Sequence, residues 1–280
     1  MEAIALKDVE ALIRIALEED IGEGDITSQA IVAPDHRSEA TIIAKQDGVI
    51  CGTDVVRHVF ALLDPAVIVT PLAEEGAKVH PGDAIARCAG PTAPILAGER
   101  TALNFLQRMC GIATQARRIV EMLAGSGIRL LDTRKTLPGF RKLDKYAVRT
   151  GGGTNHRMGL FDMVMIKDNH IRAAGGIARA VDLVRERYGS RYTIEVEAQT
   201  IDEAIEAAHA GVDIIMLDNM NPALIKEVVK AINGRAKIEV SGMVNEQIIR
   251  QLIGCRVDFV SMGALTHSVK AFDCSLEFSR

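Results

Sequence analysis

Basic side chains concentrate in one stretch of this chain. Residues 129–167 carry nine Lys or Arg and three Asp, whereas the whole chain has a formal net charge of −4. Arg134 and Lys135 directly follow one apolar run, and Lys167 ends another. Cations that point into one cavity repel each other unless an anionic ligand neutralises them. This stretch therefore predicts a binding site for a small polyanionic molecule.

Carboxylates end two further apolar runs, at Glu197 and Asp218. Two such groups facing a basic cluster could hold Mg²⁺, directly or through water, because Mg²⁺ prefers oxygen ligands. They could equally bind ribose hydroxyls, and a carboxylate at a strand end often only caps the next helix. Glu197 and Asp218 are therefore candidate ligands for a magnesium ion or a sugar.

Small residues end the last two apolar runs, in the segments Ser241–Met243 and Ser261–Ala264. They leave backbone N–H groups accessible at the start of a helix, which suits a phosphate group. A third small-residue segment, Gly151–Arg157, joins three glycines to a histidine and an arginine. Its glycines would let the backbone approach a ligand closely, although a flexible loop would have the same composition. We expect His156 to donate a hydrogen bond rather than to act as an acid.

The elements that must position these residues alternate along the second half of the chain. Six short apolar runs rich in Val, Ile, Leu and Met are typical of strands buried on both faces of a parallel sheet. They are Ile128–Asp132, Met163–Lys167, Tyr192–Glu197, Asp213–Asp218, Lys237–Ser241 and Val257–Ser261. Segments with helical spacing lie between them, at Ile177–Tyr188, Ile201–Ala210, Asn221–Ile232 and Asn245–Ile253.

This alternation predicts an α/β fold with parallel strands. Six units fall short of a full (β/α)₈ barrel, so an open or incomplete barrel is one interpretation and a doubly wound sheet is the other. The dinucleotide-binding version of the doubly wound sheet lacks its glycine motif. In barrels the active site lies at the carboxyl ends of the strands, which is where the cations, carboxylates and small residues are expected.

The first hundred residues do not alternate between strands and helices, and their pattern predicts an α+β sandwich domain. A helix at Asp8–Glu19 precedes strands at Glu39–Lys45, Val67–Leu72 and Ala84–Cys88, with turn signals between them. A long helix at Gly98–Ala124 then leads into the barrel. We place the N-terminal domain at residues 1–105 and the barrel at 106–265, with residues 266–280 available to return to the first domain.

Composition excludes several classes of partner. Trp is absent and aromatic residues are 4%, which disfavours nucleic-acid stacking platforms, and the net charge of −4 gives no basic footprint. The N-terminus has no signal-peptide pattern, and no run of about 18 apolar residues could span a membrane. Five cysteines without a C-x-x-C spacing favour a reducing cytoplasm over a disulfide framework or a zinc site.

Taken in order, the motifs resemble those of quinolinate phosphoribosyltransferases. The resemblance runs nearly from end to end, and although each motif alone is weak, the ordered set is specific. It rests on Glu19–Asp25, Glu99–Asn104, Asp132–Thr136, Pro138-Gly139, Gly151–Arg157, Met165–His170, Glu195–Glu197, Leu217–Asn219 and Ser261–Gly263.

The resemblance implies a fold, a reaction and an assembly. The implied fold is an open α/β barrel fused to an N-terminal α+β domain. The implied reaction converts quinolinate and phosphoribosyl pyrophosphate to nicotinate mononucleotide, CO₂ and pyrophosphate in NAD biosynthesis, with Mg²⁺ as cofactor. The implied assembly is a homodimer or a larger oligomer of dimers. One subunit lends an arginine to its partner's site, and the matching position is Arg100. Without the resemblance, Arg100 would be interpreted as a surface residue of a helix.

The resemblance also implies a role for each candidate residue. Lys135, Glu197 and Asp218 are implied catalytic residues, and the last two are the implied Mg²⁺ ligands, directly or through water. The implied substrate-binding residues are Arg100, Thr133, Arg134, Lys135, His156, Arg157, Lys167, Glu197, Asp218, Ser241, Gly242, Met243, Gly263 and Ala264. Of these, Ser241–Met243, Gly263 and Ala264 match the cradle of the 5′-phosphate. Met243 departs from the small or polar residue expected there.

Three alternatives stay open at this point. The first is a close relative with another substrate, such as the ModD-like proteins linked to molybdate transport. The second is a Schiff-base aldolase, because Lys135 and Lys167 lie where barrel aldolases place their lysine. The third is a catalytically silent module that senses a phosphoribosyl compound.

Overall fold

The computed structural model of the chain describes residues 4–242 and 244–279. They form two compact units, and each is assembled from separate stretches of sequence. The first unit contains the described residues up to Arg117, Thr136–Gly152, and those from Leu265 onward. The second unit contains Arg118–Lys135 and Gly153–Ala264. The predicted boundary between residues 105 and 106 stays a prediction.

The first unit is built on an antiparallel sheet of four strands. Its strands are β1 (Arg37–Ala44), β3 (Ile68–Pro71), β5 (Ala84–Pro91) and β12 (Cys274–Phe278), in the order β12-β1-β5-β3. A two-stranded sheet pairs β2 (Gly48–Val49) with β4 (Lys78–Val79). Strand β12 pairs with β1 from Ala40↔Phe278 to Ala44↔Cys274. The final strand thus completes a sheet begun by the first.

Helices complete this unit. They are a 3₁₀ turn (Leu6–Asp8), α1 (Glu10–Ile21), α2 (Ile26–Ile31), α3 (Thr53–Leu63), most of α4 (Thr92–Met122), and α5 (Arg141–Thr150). Helix α3 is amphipathic, since Val55, Val56, Val59 and Phe60 have no exposed surface. Burial of each such side chain stabilises the fold by about 1.5–3 kcal/mol. The Asp25 carboxylate caps α2 by accepting hydrogen bonds from two backbone N–H groups.

The second unit is built on six parallel strands. They are β6 (Arg129–Leu131), β7 (Val164–Ile166), β8 (Ile194–Ala198), β9 (Ile214–Asp218), β10 (Lys237–Ser241) and β11 (Phe259–Ser261), in the order β6-β11-β10-β9-β8-β7. Between them run α6 (Asp168–Ala174), α7 (Ile177–Tyr188), α8 (Ile201–His209), α9 (Pro222–Ile232) and α10 (Glu246–Leu252), and α11 (Ala264–His267) follows β11.

The barrel is open between its two outer strands, β6 and β7. Leu131 on β6 instead forms an isolated parallel bridge with Thr154, and Thr154 N–H donates to Leu130 O at 2.8 Å. Buried apolar residues such as Val196, Leu217 and Val240 alternate along the strands with polar ones, so the two sets face opposite sides of the sheet. The polar side therefore faces the barrel interior.

The prediction of an open α/β barrel with an N-terminal α+β domain is confirmed. All six predicted barrel strands and all four predicted helices between them are present, within two residues at most boundaries. The elements that were not predicted are α2, α3, α5, α6, α11, β2, β4 and β12. Among the described residues, no helix combines the length and the apolar character needed to cross a bilayer.

Candidate active site

Several predicted site residues lie at the carboxyl edge of the barrel sheet. Asp218, the last residue of β9, is in register with Ser241, the last residue of β10. Glu197 lies one residue before the end of β8, and Lys167 directly follows β7. Because parallel strands all point the same way, their carboxyl ends meet at one edge. The strand pairing thus brings residues from four separate runs of sequence together.

Lys167 and Glu197 form an ion pair across this edge. The Lys167 side chain is 42% exposed and that of Glu197 only 11%, so the carboxylate is the more enclosed partner. The Lys167 backbone N–H also donates to His170 Nδ1 at 3.0 Å, which fixes the start of α6. His170 therefore supports the segment that carries Lys167.

Glu197 and Asp218 offer donors that fit Mg²⁺. One oxygen of Glu197 faces Lys167, and one oxygen of Asp218 accepts a hydrogen bond from Asn219 at 2.8 Å. In the described residues, the second oxygen of each carboxylate receives no hydrogen bond. Carboxylate oxygens are hard ligands, and Mg²⁺ usually keeps several waters or phosphate oxygens besides one or two carboxylates.

The segment that carries His156 and Arg157 is anchored by Asp132. This fully buried carboxylate accepts hydrogen bonds from the His156 backbone N–H at 2.9 Å and from Asn155 Nδ2 at 2.6 Å. Together with the Leu131–Thr154 bridge, these bonds hold the segment against β6. Sequence reasoning named Asp132 only as part of a motif and missed this anchoring role.

Arg157 is a nearly buried cation, with 9% of its surface exposed. One of its terminal nitrogens donates to Met163 O at 3.3 Å. Burial and then the charge of Arg134 lower the pKa of Arg157, whereas Glu195 and Asp162 oppose that effect. Arg134 and Arg157 are therefore close enough to repel, as expected where an anionic ligand binds between cations.

A buried cluster of His156, Glu195 and Glu239 lies inside the barrel. His156 Nε2 is 3.0 Å from Glu195 Oε2 and 3.4 Å from Glu239 Oε2, and both carboxylates are fully buried. Neither carboxylate receives a hydrogen bond from any other described residue. The sequence analysis missed Glu239, although a glutamate within a buried strand is an unusual signal.

The two carboxylates control the charge of the imidazole. Burial lowers the pKa of His156, but the ion pairs with Glu195 and Glu239 outweigh it and raise that pKa to about 9. Burial and the neighbouring Glu239 raise the pKa of Glu195. The Arg157 backbone N–H, 2.7 Å from His156 Nδ1, favours a neutral ring instead. Two buried anions at contact distance outweigh one amide dipole, so we assign a protonated ring at neutral pH.

The remaining predicted residues have other surroundings. Lys135 is exposed, and its backbone N–H donates to Thr133 Oγ1 at 3.0 Å. Gly242 has a left-handed φ of 87°, and Gly263 and Ala264 follow β11, with Ala264 opening α11. Met243 lies outside the described residues. Asn245 caps α10, because its Oδ1 accepts from Ile248 N–H at 3.0 Å.

Two sets of cations belong to the first unit. Arg100 is exposed on α4 and belongs to the first unit. Helix α5 also belongs to the first unit and carries four of the nine basic residues, Arg141, Lys142, Lys145 and Arg149. Within that unit Asp144 is fully buried and accepts two hydrogen bonds from Arg108, at 2.8 and 2.7 Å. Lys145 on the same helix is also buried, so part of the basic stretch belongs to the packing of this unit.

Comparisons with known proteins cover nearly the whole chain. Two family models match it: Quinolinate phosphoribosyl transferase, N-terminal domain, over residues 25–110, and Quinolinate phosphoribosyl transferase, C-terminal domain, over residues 112–277. A probable nicotinate-nucleotide pyrophosphorylase (carboxylating) of Bacillus subtilis (strain 168) is 44% identical over 259 residues, which cover 92% of this chain and 89% of the relative. A mitochondrial quinolinate phosphoribosyltransferase (decarboxylating) of Nicotiana tabacum is 42% identical over 289 residues. The match covers 96% of this chain and 82% of the relative.

Solved structures agree in fold and length. NadC from Streptococcus pyogenes is 38% identical and superposes with a TM-score of 0.95 over 100% of both chains. The nicotinate-nucleotide pyrophosphorylase from Francisella tularensis is 40% identical, with a TM-score of 0.93 over 99% of this chain and 98% of that one.

Proposed function

The chain belongs to the quinolinate phosphoribosyltransferase family and catalyses its decarboxylating reaction, and we propose that the barrel edge described above is where it does so. Quinolinate and phosphoribosyl pyrophosphate are the substrates, and nicotinate mononucleotide, CO₂ and pyrophosphate are the products. The observation that carries the location is the Lys167–Glu197 ion pair at the strand ends, with Asp218 in register with Ser241 at the same edge.

The cations bind the two carboxylates of quinolinate. Arg134 and Arg157 suit planar carboxylates, because a guanidinium can donate two parallel hydrogen bonds. Lys135 adds a positive charge, and Thr133 Oγ1 accepts a hydrogen bond from its backbone N–H and orients the turn that carries it. The charge of the protonated His156 is balanced by Glu195 and Glu239, so His156 holds the segment that carries Arg157 without adding net positive charge. Binding a dianion relieves the repulsion among these groups, which gives affinity without a covalent bond.

The carboxylates bind the sugar side. Glu197 and Asp218 would contact the ribose hydroxyls and Mg²⁺, directly or through water. When bound, Mg²⁺ would neutralise the negative charge that builds up on the departing pyrophosphate. Lys167 holds Glu197 by the ion pair and contributes positive charge to the same region. The 5′-phosphate would lie against Ser241, Gly242, Gly263 and Ala264, and Met243 stays a predicted member of this cradle.

The reaction needs no side-chain nucleophile. The ring nitrogen of quinolinate attacks the ribosyl C1 as the bond to pyrophosphate breaks, and Glu197 and Asp218 stabilise the positive charge on the sugar. The alkylated ring nitrogen is then cationic. It accepts the electron pair of the C2–carboxylate bond when CO₂ leaves, and a proton replaces the carboxylate at C2. The protein contributes position and electrostatics.

The Schiff-base alternative is disfavoured by Lys167. Its ammonium is held by the Glu197 carboxylate in an ion pair, whereas a Schiff-base lysine needs its nitrogen available to attack a carbonyl carbon. The matched family model, which covers both lysines, also favours a phosphoribosyltransferase over an aldolase.

We further propose a cytoplasmic homodimer, or a larger assembly of dimers, in which Arg100 enters the partner's site. Arg100 is exposed, as such a role requires. The same unit exposes Ile15, Ile26 and Ile31 by 62%, 81% and 78%, and exposed apolar side chains of this size favour association.

A direct assay tests the reaction. Protein, quinolinate, phosphoribosyl pyrophosphate and Mg²⁺ are mixed, and CO₂ and nicotinate mononucleotide are measured. Turnover should require quinolinate, and nicotinate in its place should give little product. Equal turnover of the two would contradict the role of the cation pair, because nicotinate carries only one carboxylate.

Mixing two inactive variants tests the shared site. Arg100→Ala and Arg157→Ala should each be nearly inactive, but a re-equilibrated mixture should recover about one quarter of wild-type activity, since half of the dimers then contain one intact site of two. Recovery would fail if Arg100 served its own subunit's site.

A further inference from the structure

We propose that Asn219 is a positioning residue for the phosphoribosyl substrate. It links the carboxylate of Asp218 to the Ser241–Gly242 segment that follows β10. The inference deepens the proposed function, because it rests on Asp218 binding the sugar side and on the segment holding the phosphate. Asn219 lies directly after β9 and is exposed, so a ligand can reach its surroundings.

The backbone of Asn219 has an unusual conformation. Its φ is 56°, in the left-handed region that few residues other than glycine adopt, and asparagine is among the more tolerant. Asn233 is also left-handed, with φ 49°, but it ends α9, where this conformation is common. Asn219 follows a strand, so no helix end accounts for its conformation.

In this conformation Asn219 makes three contacts, with Asp218, Ser241 and Gly242. The Asn219 backbone N–H donates to Ser241 O at 3.0 Å. Its Nδ2 donates to Asp218 Oδ2 at 2.8 Å. Its Oδ1 packs on Gly242 so closely that a Cβ there would lie 2.2 Å away. One side chain therefore touches the end of one strand and the loop after the next.

These contacts have a consequence for the substrate. The hydrogen bond to Oδ2 fixes the plane of the Asp218 carboxylate and leaves the other oxygen to face the sugar or its cation. The contact with Gly242 sets the position of the Ser241–Gly242 segment relative to that carboxylate. The ribose ring and the 5′-phosphate are joined by a short covalent link, so the groups that bind them must lie at a matching separation. Asn219 sets that separation.

Two substitutions at this position separate the contacts from the backbone. Asn219→Gly keeps the left-handed conformation and removes both side-chain contacts. Asn219→Asp keeps the size but replaces the Nδ2 donor by an oxygen that repels Asp218. Asn233→Gly and Asn233→Asp are the matched controls, because they change the same residue type in the same backbone region away from the strand ends.

The measurements are KM for each substrate, kcat, the thermal unfolding midpoint, and calorimetric binding of phosphoribosyl pyrophosphate with Mg²⁺. Asn219→Gly should raise KM for phosphoribosyl pyrophosphate and weaken its calorimetric binding about tenfold, with KM for quinolinate changed less than about twofold. Asn219→Asp should have the larger effect. The Asn233 variants should leave both KM values unchanged.

A double variant sharpens the test. Gly242→Ala should also weaken phosphoribosyl pyrophosphate binding, because its Cβ displaces the Asn219 side chain. In the Asn219→Gly background the clash with the side chain is gone, and only the close approach to the backbone nitrogen of residue 219 (3.0 Å) and the strain of the left-handed φ remain, so the effects of the two substitutions should be less than additive. Strict additivity, or equal changes in both KM values that follow the unfolding midpoint, would overturn the proposal. If the wild type fails to make nicotinate mononucleotide, the proposed function fails instead.

Discussion

Replacing Glu239 by glutamine tests the charge state of the buried cluster around His156. The substitution keeps the size of the side chain and removes one of two anions, the one 3.4 Å from His156 Nε2. In the wild type the pKa of His156 is raised to about 9. Against an ordinary value of about 6.5, this corresponds to about 3 kcal/mol in favour of the protonated ring.

The expected size of the change follows from the two distances. The Glu195 and Glu239 oxygens lie at 3.0 and 3.4 Å from the same nitrogen, so their attractions for the imidazolium are similar. Removing one should take away about half of the favourable interaction and lower the pKa of His156 from about 9 to between about 7 and 8. The exposed Glu227→Gln, on α9, is the matched control and should leave that pKa unchanged.

Ring-nitrogen NMR across a pH titration measures this directly, and a His156→Gln variant identifies the resonance by its loss. A wild-type ring that is neutral at pH 7 would refute the assignment and show that the Arg157 amide contact at Nδ1 prevails. An unchanged His156 pKa in Glu239→Gln would refute the role of the second carboxylate.

The same cluster predicts how stability depends on pH. A raised pKa means that the folded state holds its proton more tightly than the unfolded state, so this stabilisation is complete below about pH 6.5. It is lost as pH rises through about 9. The raised pKa of Glu195 acts in the same direction. Between pH 6 and 9.5 the free energy of unfolding should fall by up to about 3 kcal/mol in the wild type and by roughly half of that in Glu239→Gln.

Two further substitutions test other charged groups. Glu197→Gln removes the ion-pair partner of Lys167 and a carboxylate proposed to face the sugar. We expect kcat to fall about 10²-fold with little change in the thermal unfolding midpoint. Activity within twofold of wild type would contradict that role. Arg108→Met removes the ion-pair partner of the buried Asp144 carboxylate and should reduce the free energy of unfolding by about 3–5 kcal/mol. The double variant Arg108→Met with Asp144→Leu should recover most of this loss in chemical denaturation, and no recovery would contradict the pairing.

Much of the barrel could be predicted because its signal is local. A strand buried on both faces is an apolar run, and the polar residue that ends it marks the carboxyl edge of the sheet. Glu197, Asp218 and Ser241 were placed at that edge on this basis, and the strand register confirms the position of the last two. Their roles toward ligands stay predictions.

The buried cluster was harder to foresee because it depends on three-dimensional packing. Glu239 lies in the middle of an apolar run, where alternation allows either face of the strand. The segment that contains His156 pairs with the open edge of the sheet at β6. This pairing brings the His156 ring into contact with Glu239. Helix α5 was not predicted, because its basic residues were assigned to the site at the strand ends. In the structure its buried residues Asp144 and Lys145 belong to the packing of the first unit.

The pairing of β12 with β1 has a consequence for how the chain is made. Their partners include Ala40↔Phe278, which are separated by almost the whole sequence. Contacts of such long range are slow to form, because a long loop must close first. During synthesis, β1 therefore remains an open sheet edge until Phe278 leaves the ribosome, after every barrel strand has already emerged. Newly made chains should consequently be prone to aggregate through this edge, and to depend on chaperones, for as long as β12 has not emerged.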